Sequence, residues 1–416
     1  MEKYMNCRDW FRALTRTMVL LVLSTVADAE PNLRILTSMT EQVYEPYVAA
    51  FRARNPGVDV LVLNKNTNFA VGEIALGNQR GFDIFWASSP EAFELLSESG
   101  HLSTLDGVPY RGFALSSVGW SWREDRLTGP APTQWNDLLD GRFAGQIGIA
   151  RPSRSGTTHM LVEQILQNRG WDNGWAYLLE LSANLATITS RSFGVIDGLK
   201  SSRFLLGLNI DFLALSEAGN GLKFRYARPV TLATARIAKL ENSTSPELAD
   251  RFIRFVGSEE GQRLLLTPSI RRVPVDPGVR AQVDYSDFPA LEAALQFSWT
   301  HYDPKLAADR YWAVNALFDQ FITLQLNQRR ELWRKLRVLE ARQDPAMRAD
   351  LAKVRQLLTR MPVPEAEAMA EKLRVAPGPG SLYATLLPIQ KQAINEWGDL
   401  ALEWLEAAAT RLGHHE

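Results

Sequence analysis

Short apolar runs alternate with helically spaced apolar positions from Leu33 onward, and that alternation predicts parallel strands joined by crossover helices. Leu33-Arg34-Ile35-Leu36 reads as a strand; Tyr44, Val48 and Phe51 then recur at helical spacing until Asn55-Pro56-Gly57 stops the helix. Val58 to Leu63 is a second strand, Phe69 to Leu76 a helix, Asp83 to Trp86 a third strand, and Glu91 to Glu98 a helix again. Three such units in a row predict an open α/β sheet. After Val118-Gly119-Trp120 the pattern loosens, then resumes with a strand at Ile147 to Ala150, helices at Gly156 to Asn168 and Trp171 to Leu181, and a strand at Leu205 to Ile210. Val230 to Leu240 reads as a strand and Pro246 to Gly257 as a helix with Leu248, Phe252, Ile253 and Val256 on one face.

This order predicts a first lobe over 30–118, a second over 119–226, a return to the first over 227–302, and an all-α extension over 303–416. In the extension, Val314, Leu317, Phe318, Phe321 and Ile322, then Leu332, Leu336 and Leu339, keep a helical period, and the last helix is expected from about Leu382 to Leu412. Arg329, Arg330, Arg334 and Lys335 read as a solvated face.

The N-terminus follows a different pattern. Lys3, Arg8, Arg12 and Arg16 precede an apolar run from Met18 to Val26 that ends in Ala27-Asp28-Ala29, the order of a cleavable secretory signal over 1–29. The run is too short to span a bilayer. Cleavage would remove Cys7, the one cysteine, so neither disulfides nor thiolate metal sites are expected in the mature chain, and no insertion into a membrane. Lys and Arg total 46 against 47 Asp and Glu, which leaves no basic excess for nucleic acid or anionic lipid.

In open α/β sheets, ligands sit beyond the carboxyl ends of the strands, where helix N-termini present N–H groups. At those places stand Thr37 and Ser38, then Lys65 and Thr67, then Ser88 and Ser89, and the run Ser155-Gly156-Thr157. Each hydroxyl alone is an ordinary helix cap; the four sites together suit an oxyanion. Gly156 admits a ligand close to the backbone, and Lys65 and Arg191 are candidate cations. Catalytic apparatus is missing: neither G-x-S-x-G, H-E-x-x-H nor a P-loop occurs, and His159, on a helix four residues after Ser155, reads as packing. A binding protein that needs no cofactor is the simplest reading.

The runs Leu63 to Asn68, Phe82 to Phe93 and Arg191-Ser192-Phe193-Gly194-Val195 resemble the periplasmic solute-binding proteins whose chain crosses twice between two lobes. The resemblance is to the type 2 branch that includes hexose-phosphate and ferric-ion receptors and regulators of phosphoglycerate transport. It implies a two-lobed α/β fold with a phosphorylated small molecule in the interlobe cleft. Thr37, Ser38, Thr67 and Ser88 would hold it from one side and Ser155, Gly156, Thr157, Arg191 and Ser192 from the other. Asp211 would accept from ligand hydroxyls or else cap the helix after it. The implied partner is a membrane sensor, or alternatively an ABC permease. Ferric receptors use adjacent tyrosines; this sequence has no Tyr-Tyr pair, so no metal is expected.

Overall fold

The computed structural model describes residues 32–282, 285, 299–374 and 386–415. The signal segment, most of 283–298 and the expected start of the last helix at Leu382 lie outside the described residues.

The first sheet begins with β1 (Asn32–Thr37), α1 (Glu41–Arg54), β2 (Asp59–Asn64), α2 (Thr67–Ala75), β3 (Ile84–Ala87), α3 (Pro90–Glu98), β4 (Leu102–Ser103) and β5 (Arg111–Ser116). β1 lies between β2 and β3, parallel to both. All four residues of β3 are buried, as expected of a strand covered by helices on both faces.

The chain then enters a five-stranded sheet built from β6 (Val118–Arg123), β7 (Ile147–Ala150), β8 (Leu185–Thr189), β9 (Leu206–Ile210) and β10 (Leu222–Tyr226), in the order β10-β6-β9-β7-β8. Helices α4 (Gly156–Arg169), α5 (Trp171–Leu181), α6 (Phe193–Lys200) and α7 (Asp211–Leu215) connect its strands. β11 (Val230–Leu240) returns to the first sheet, antiparallel to β3 and β5. α8 (Pro246–Gly257) follows and buries Leu248, Phe252, Ile253 and Val256. Then come α9 (Glu259–Leu264), β12 (Val273–Pro274), α10 (Pro277–Arg280) and β13 (Trp299–His301), the last parallel to β11. The two crossings lie side by side: Ser117 Oγ donates to the Thr231 carbonyl at 2.7 Å, and Ala227 N–H to the Val118 carbonyl at 3.1 Å.

The described residues that follow are helical: α11 (Pro304–Asp309), α12 (Tyr311–Phe318), a π-helical turn at Asp319–Thr323, α13 (Leu326–Ala341), α14 (Arg348–Thr359), α15 (Glu365–Ala368) and α16 (Pro388–Gly413). Leu332, Trp333, Leu336 and Leu339 of α13 pack with Leu351, Val354 and Leu358 of α14 and Leu405 and Leu412 of α16. The apolar stripe is therefore internal. Arg329 departs from the solvated face expected of it: it is buried and donates to Ser182 Oγ at 2.9 Å and to the Leu179 carbonyl at 3.0 Å. It stands three and four residues before Leu332 and Trp333, which puts it on the packed face of α13. Burial pulls its pKa down to about 9.

Candidate functional site

The carboxyl ends of β1, β3 and β7 face a pocket between the two sheets. Its lining draws on the N-terminal ends of α1, α2 and α3 on one side and of α4, α6 and α7 on the other. Helix N-termini carry unpaired N–H groups and the positive ends of the helix dipoles, so their convergence favours an anion. Two of these helices start on a side-chain cap. Asn66 Oδ1 accepts from Phe69 N–H at 2.8 Å to open α2, and Ser155 Oγ accepts from Thr158 N–H at 3.2 Å to open α4.

Of the twelve residues expected at the site, nine line this pocket: Ser38, Thr67, Ser88, Ser89, Ser155, Gly156, Thr157, Arg191 and Ser192. Three stand elsewhere. Thr37 is fully buried and its hydroxyl donates to the Trp86 carbonyl at 2.7 Å, tying β1 to β3. Lys65 lies over the Phe69 ring, 5.5 Å from its centre. Asp211 is buried beside the strand crossing. Its Oδ2 accepts from Ser117 N–H at 2.9 Å and from the Tyr226 hydroxyl at 3.1 Å, and its Oδ1 from Phe212 N–H at 2.7 Å. Burial pushes its pKa up to about 6 despite those donors.

The lining also includes Thr40, Asn66, Arg154 and Phe212. Thr40 and Asn66 stand immediately before helices, and Arg154 immediately before the Ser155-Gly156-Thr157 run. Phe212 carries no sequence signal beyond its place after a strand. The same holds for Arg272, which lies buried behind Ser88 with Nη1 3.1 Å from Ser88 Oγ.

Hydroxyls dominate the lining: Ser38, Thr40, Thr67, Ser88, Ser89, Ser155, Thr157 and Ser192, joined by Arg154 and Arg191. Among the described residues that line it there is no carboxylate, histidine or tyrosine, which are the ligands ferric iron would need. Ser155 Oγ also accepts from the Thr158 hydroxyl at 3.1 Å and lies 2.6 Å from Ser192 Oγ. Arg191 is partly buried over the Phe193 ring, and desolvation lowers its pKa.

The two sides of the pocket touch. Arg191 reaches across to donate to Asn64 Oδ1 at 3.1 Å, and the Asn68 amide donates to the Ser153 carbonyl. A methyl group placed on Gly156 would lie 2.6 Å from Ser89 Cβ and 2.7 Å from Thr67 Oγ1, so only glycine allows this approach. The inner space is about 40 Å³, room for about three water-sized groups at ~10–15 Å³ each.

The sequence model for bacterial extracellular solute-binding proteins matches residues 85–303, more than half of the chain. The chain belongs to that family. Among curated relatives, the phosphoglycerate transport regulatory protein PgtC of Salmonella typhimurium is 31% identical over 335 residues, covering 76% of this chain and 82% of PgtC. Among solved structures, the periplasmic binding protein AfuA from Actinobacillus pleuropneumoniae, with exogenous fructose-6-phosphate bound, superposes with a TM-score of 0.63 at 17% identity. It covers 71% of this chain and all of AfuA. Iron-bound HitA from Pseudomonas aeruginosa superposes with a TM-score of 0.51 at 15% identity over 64% of this chain and 97% of HitA. The fold is that of the type 2 periplasmic binding proteins, with a helical C-terminal region. These relatives are binding or regulatory proteins, and this chain is a periplasmic solute-binding protein, not an enzyme.

Proposed function

We propose that the protein captures a phosphorylated small molecule, phosphoglycerate, between its lobes, and that a membrane sensor reads the closed form to induce phosphoglycerate uptake. The observation that carries the ligand class is the pocket lining, in which hydroxyls, helix N-termini and two arginines face a small space with no carboxylate among the described residues. The two arginines and the helix N-termini favour a phosphate ester with a carboxylate. Asp211, the carboxylate expected to accept from ligand hydroxyls, is committed to Ser117, Phe212 and Tyr226. The regulatory part rests on the similarity to PgtC. Residues 1–29 act as the cleavable signal that delivers the chain to the periplasm, a role supported by their charged flank, apolar run and small-residue triplet.

Ligand contacts on both lobes favour the closed state by their differential affinity, and closure is the signal. A second reading, a receptor that delivers its ligand to an ABC importer, is favoured by the substrate-binding protein of an Agrobacterium tumefaciens ABC transporter, which shares the fold at a TM-score of 0.58. Isothermal titration with 3-phosphoglycerate, 2-phosphoglycerate, phosphoenolpyruvate and glucose 6-phosphate tests the ligand. The expected order places the phosphoglycerates first; tightest binding of glucose 6-phosphate would reject it. A reporter of uptake-gene induction that stays responsive in a strain lacking this protein would reject the signalling role.

A further inference from the structure

Arg272 lies behind the pocket floor with 2% of its surface exposed. Nη1 donates to Ser88 Oγ at 3.1 Å and Nη2 to Ser116 Oγ at 3.0 Å. The guanidinium rests 4.2 Å from the centre of the Phe212 ring and 5.2 Å from that of Phe113, while its buried Nε has no hydrogen-bond partner. Among the described residues it forms no ion pair. Asp211 bears on it electrostatically, but both Asp211 oxygens are held by Ser117, Phe212 and Tyr226. Burial draws the pKa of Arg272 down to about 10, so at neutral pH it keeps its charge. A guanidinium this deep is costly without an anion, and the pocket on the far side of Ser88 is where one would sit.

We propose that Arg272 is a positioning residue for the anion, acting through Ser88, and that the ligand's negative charge completes an otherwise underpaired buried cation. Ser88 Oγ already accepts from the guanidinium, so its remaining proton is free to be donated to a ligand oxygen. Arg272 thereby fixes Ser88 as a donor and biases the pocket toward multiply charged ligands. This rests on the reading of the pocket as a phosphate site. In the absence of ligand the cation is a burden on the fold, as function-bearing groups often are.

The test is calorimetric titration of the wild type, Arg272→Met and Arg272→Lys with 3-phosphoglycerate and with inorganic phosphate, alongside thermal unfolding of each ligand-free protein. Arg272→Met is expected to weaken both anions at least tenfold while its ligand-free melting temperature stays level or rises. Arg272→Lys, which keeps the charge, is expected to recover most of the affinity. Wild-type affinity in Arg272→Met would overturn the proposal. So would loss of affinity that follows a lowered melting temperature and is not recovered by lysine, since that marks a purely structural role. A wild type that binds neither anion would instead reject the phosphate pocket itself.

Discussion

Two polar regions lie back to back in this molecule and behave in opposite ways. Behind the pocket, where α12 meets the two lobes, most buried polar groups pair with one another, His159 Nε2 and Trp312 Nε1 excepted. Arg310 grips Glu163 with Nη2 to Oε2 at 2.8 Å, and Arg151 holds Asp319 at 2.7 Å. The Tyr302 hydroxyl donates to Glu91 at 3.0 Å, the Tyr311 hydroxyl to Asn68, and His159 lies 3.2 Å from Asn315. In the pocket the polar side chains are hydroxyls, one amide and two arginines, with no carboxylate among the described residues that line it. A region whose charges are paired locks the fold; one that gathers hydroxyls and arginines without an anion calls for a ligand. Asn68 joins the two regions, since it accepts from Tyr311 of the extension and donates to Ser153 beside the pocket.

Breaking the rear region should cost stability. Arg310→Met strands Glu163, which is fully buried, and is expected to lower the unfolding free energy by roughly 3–5 kcal/mol in denaturant titration. Breaking the pocket should cost affinity instead. Gly156→Ala puts a methyl group against Ser89 and Thr67 and is expected to weaken 3-phosphoglycerate by about 1–3 kcal/mol, with the melting temperature little changed. Ser155→Ala combined with Thr157→Ala removes two hydroxyls and is expected to weaken the same ligand by roughly 1–3 kcal/mol in calorimetry. If Gly156→Ala lowered stability as much as Arg310→Met does, the division between the two regions would fail.

A pH-dependent effect sharpens the boundary between them. Asp211 has a folded-state pKa raised to about 6 by burial, above its ordinary value of 3.8. The folded protein therefore binds this proton more tightly than the unfolded chain. Its contribution to stability is greatest below pH 3.8 and falls as pH rises to about 6. The melting temperature of the wild type minus that of Asp211→Asn should fall across that interval, and a flat difference would contradict the assignment.

The fold class was legible because βα alternation, periodic apolar positions and helix caps all act locally, within a few residues. The helix at Pro246–Gly257 shows its buried face in the sequence itself. Arg329 was misread because charge outweighed position; its spacing from Leu332 and Leu336 already put it on the packed face. The serine-rich ends of β1, β3 and β7 pointed to the pocket because helix N-termini there are obligatory. Arg272 and Phe212 were not legible. Arg272 contacts Ser88 and Ser116, 184 and 156 residues away, and no local pattern encodes such a pairing. Asp211 stood at a strand end as expected, but its partners Ser117 and Tyr226 come from the strand crossing, which only the folded chain brings together.

The account depends on an ester phosphate lying between the lobes against Ser88, Ser155 and Thr157. A crystal structure of the protein grown with 3-phosphoglycerate tests this most directly. It should show the phosphate within hydrogen-bond distance of those three hydroxyls. Phosphate density elsewhere on the molecule, with the interlobe space empty, would contradict it.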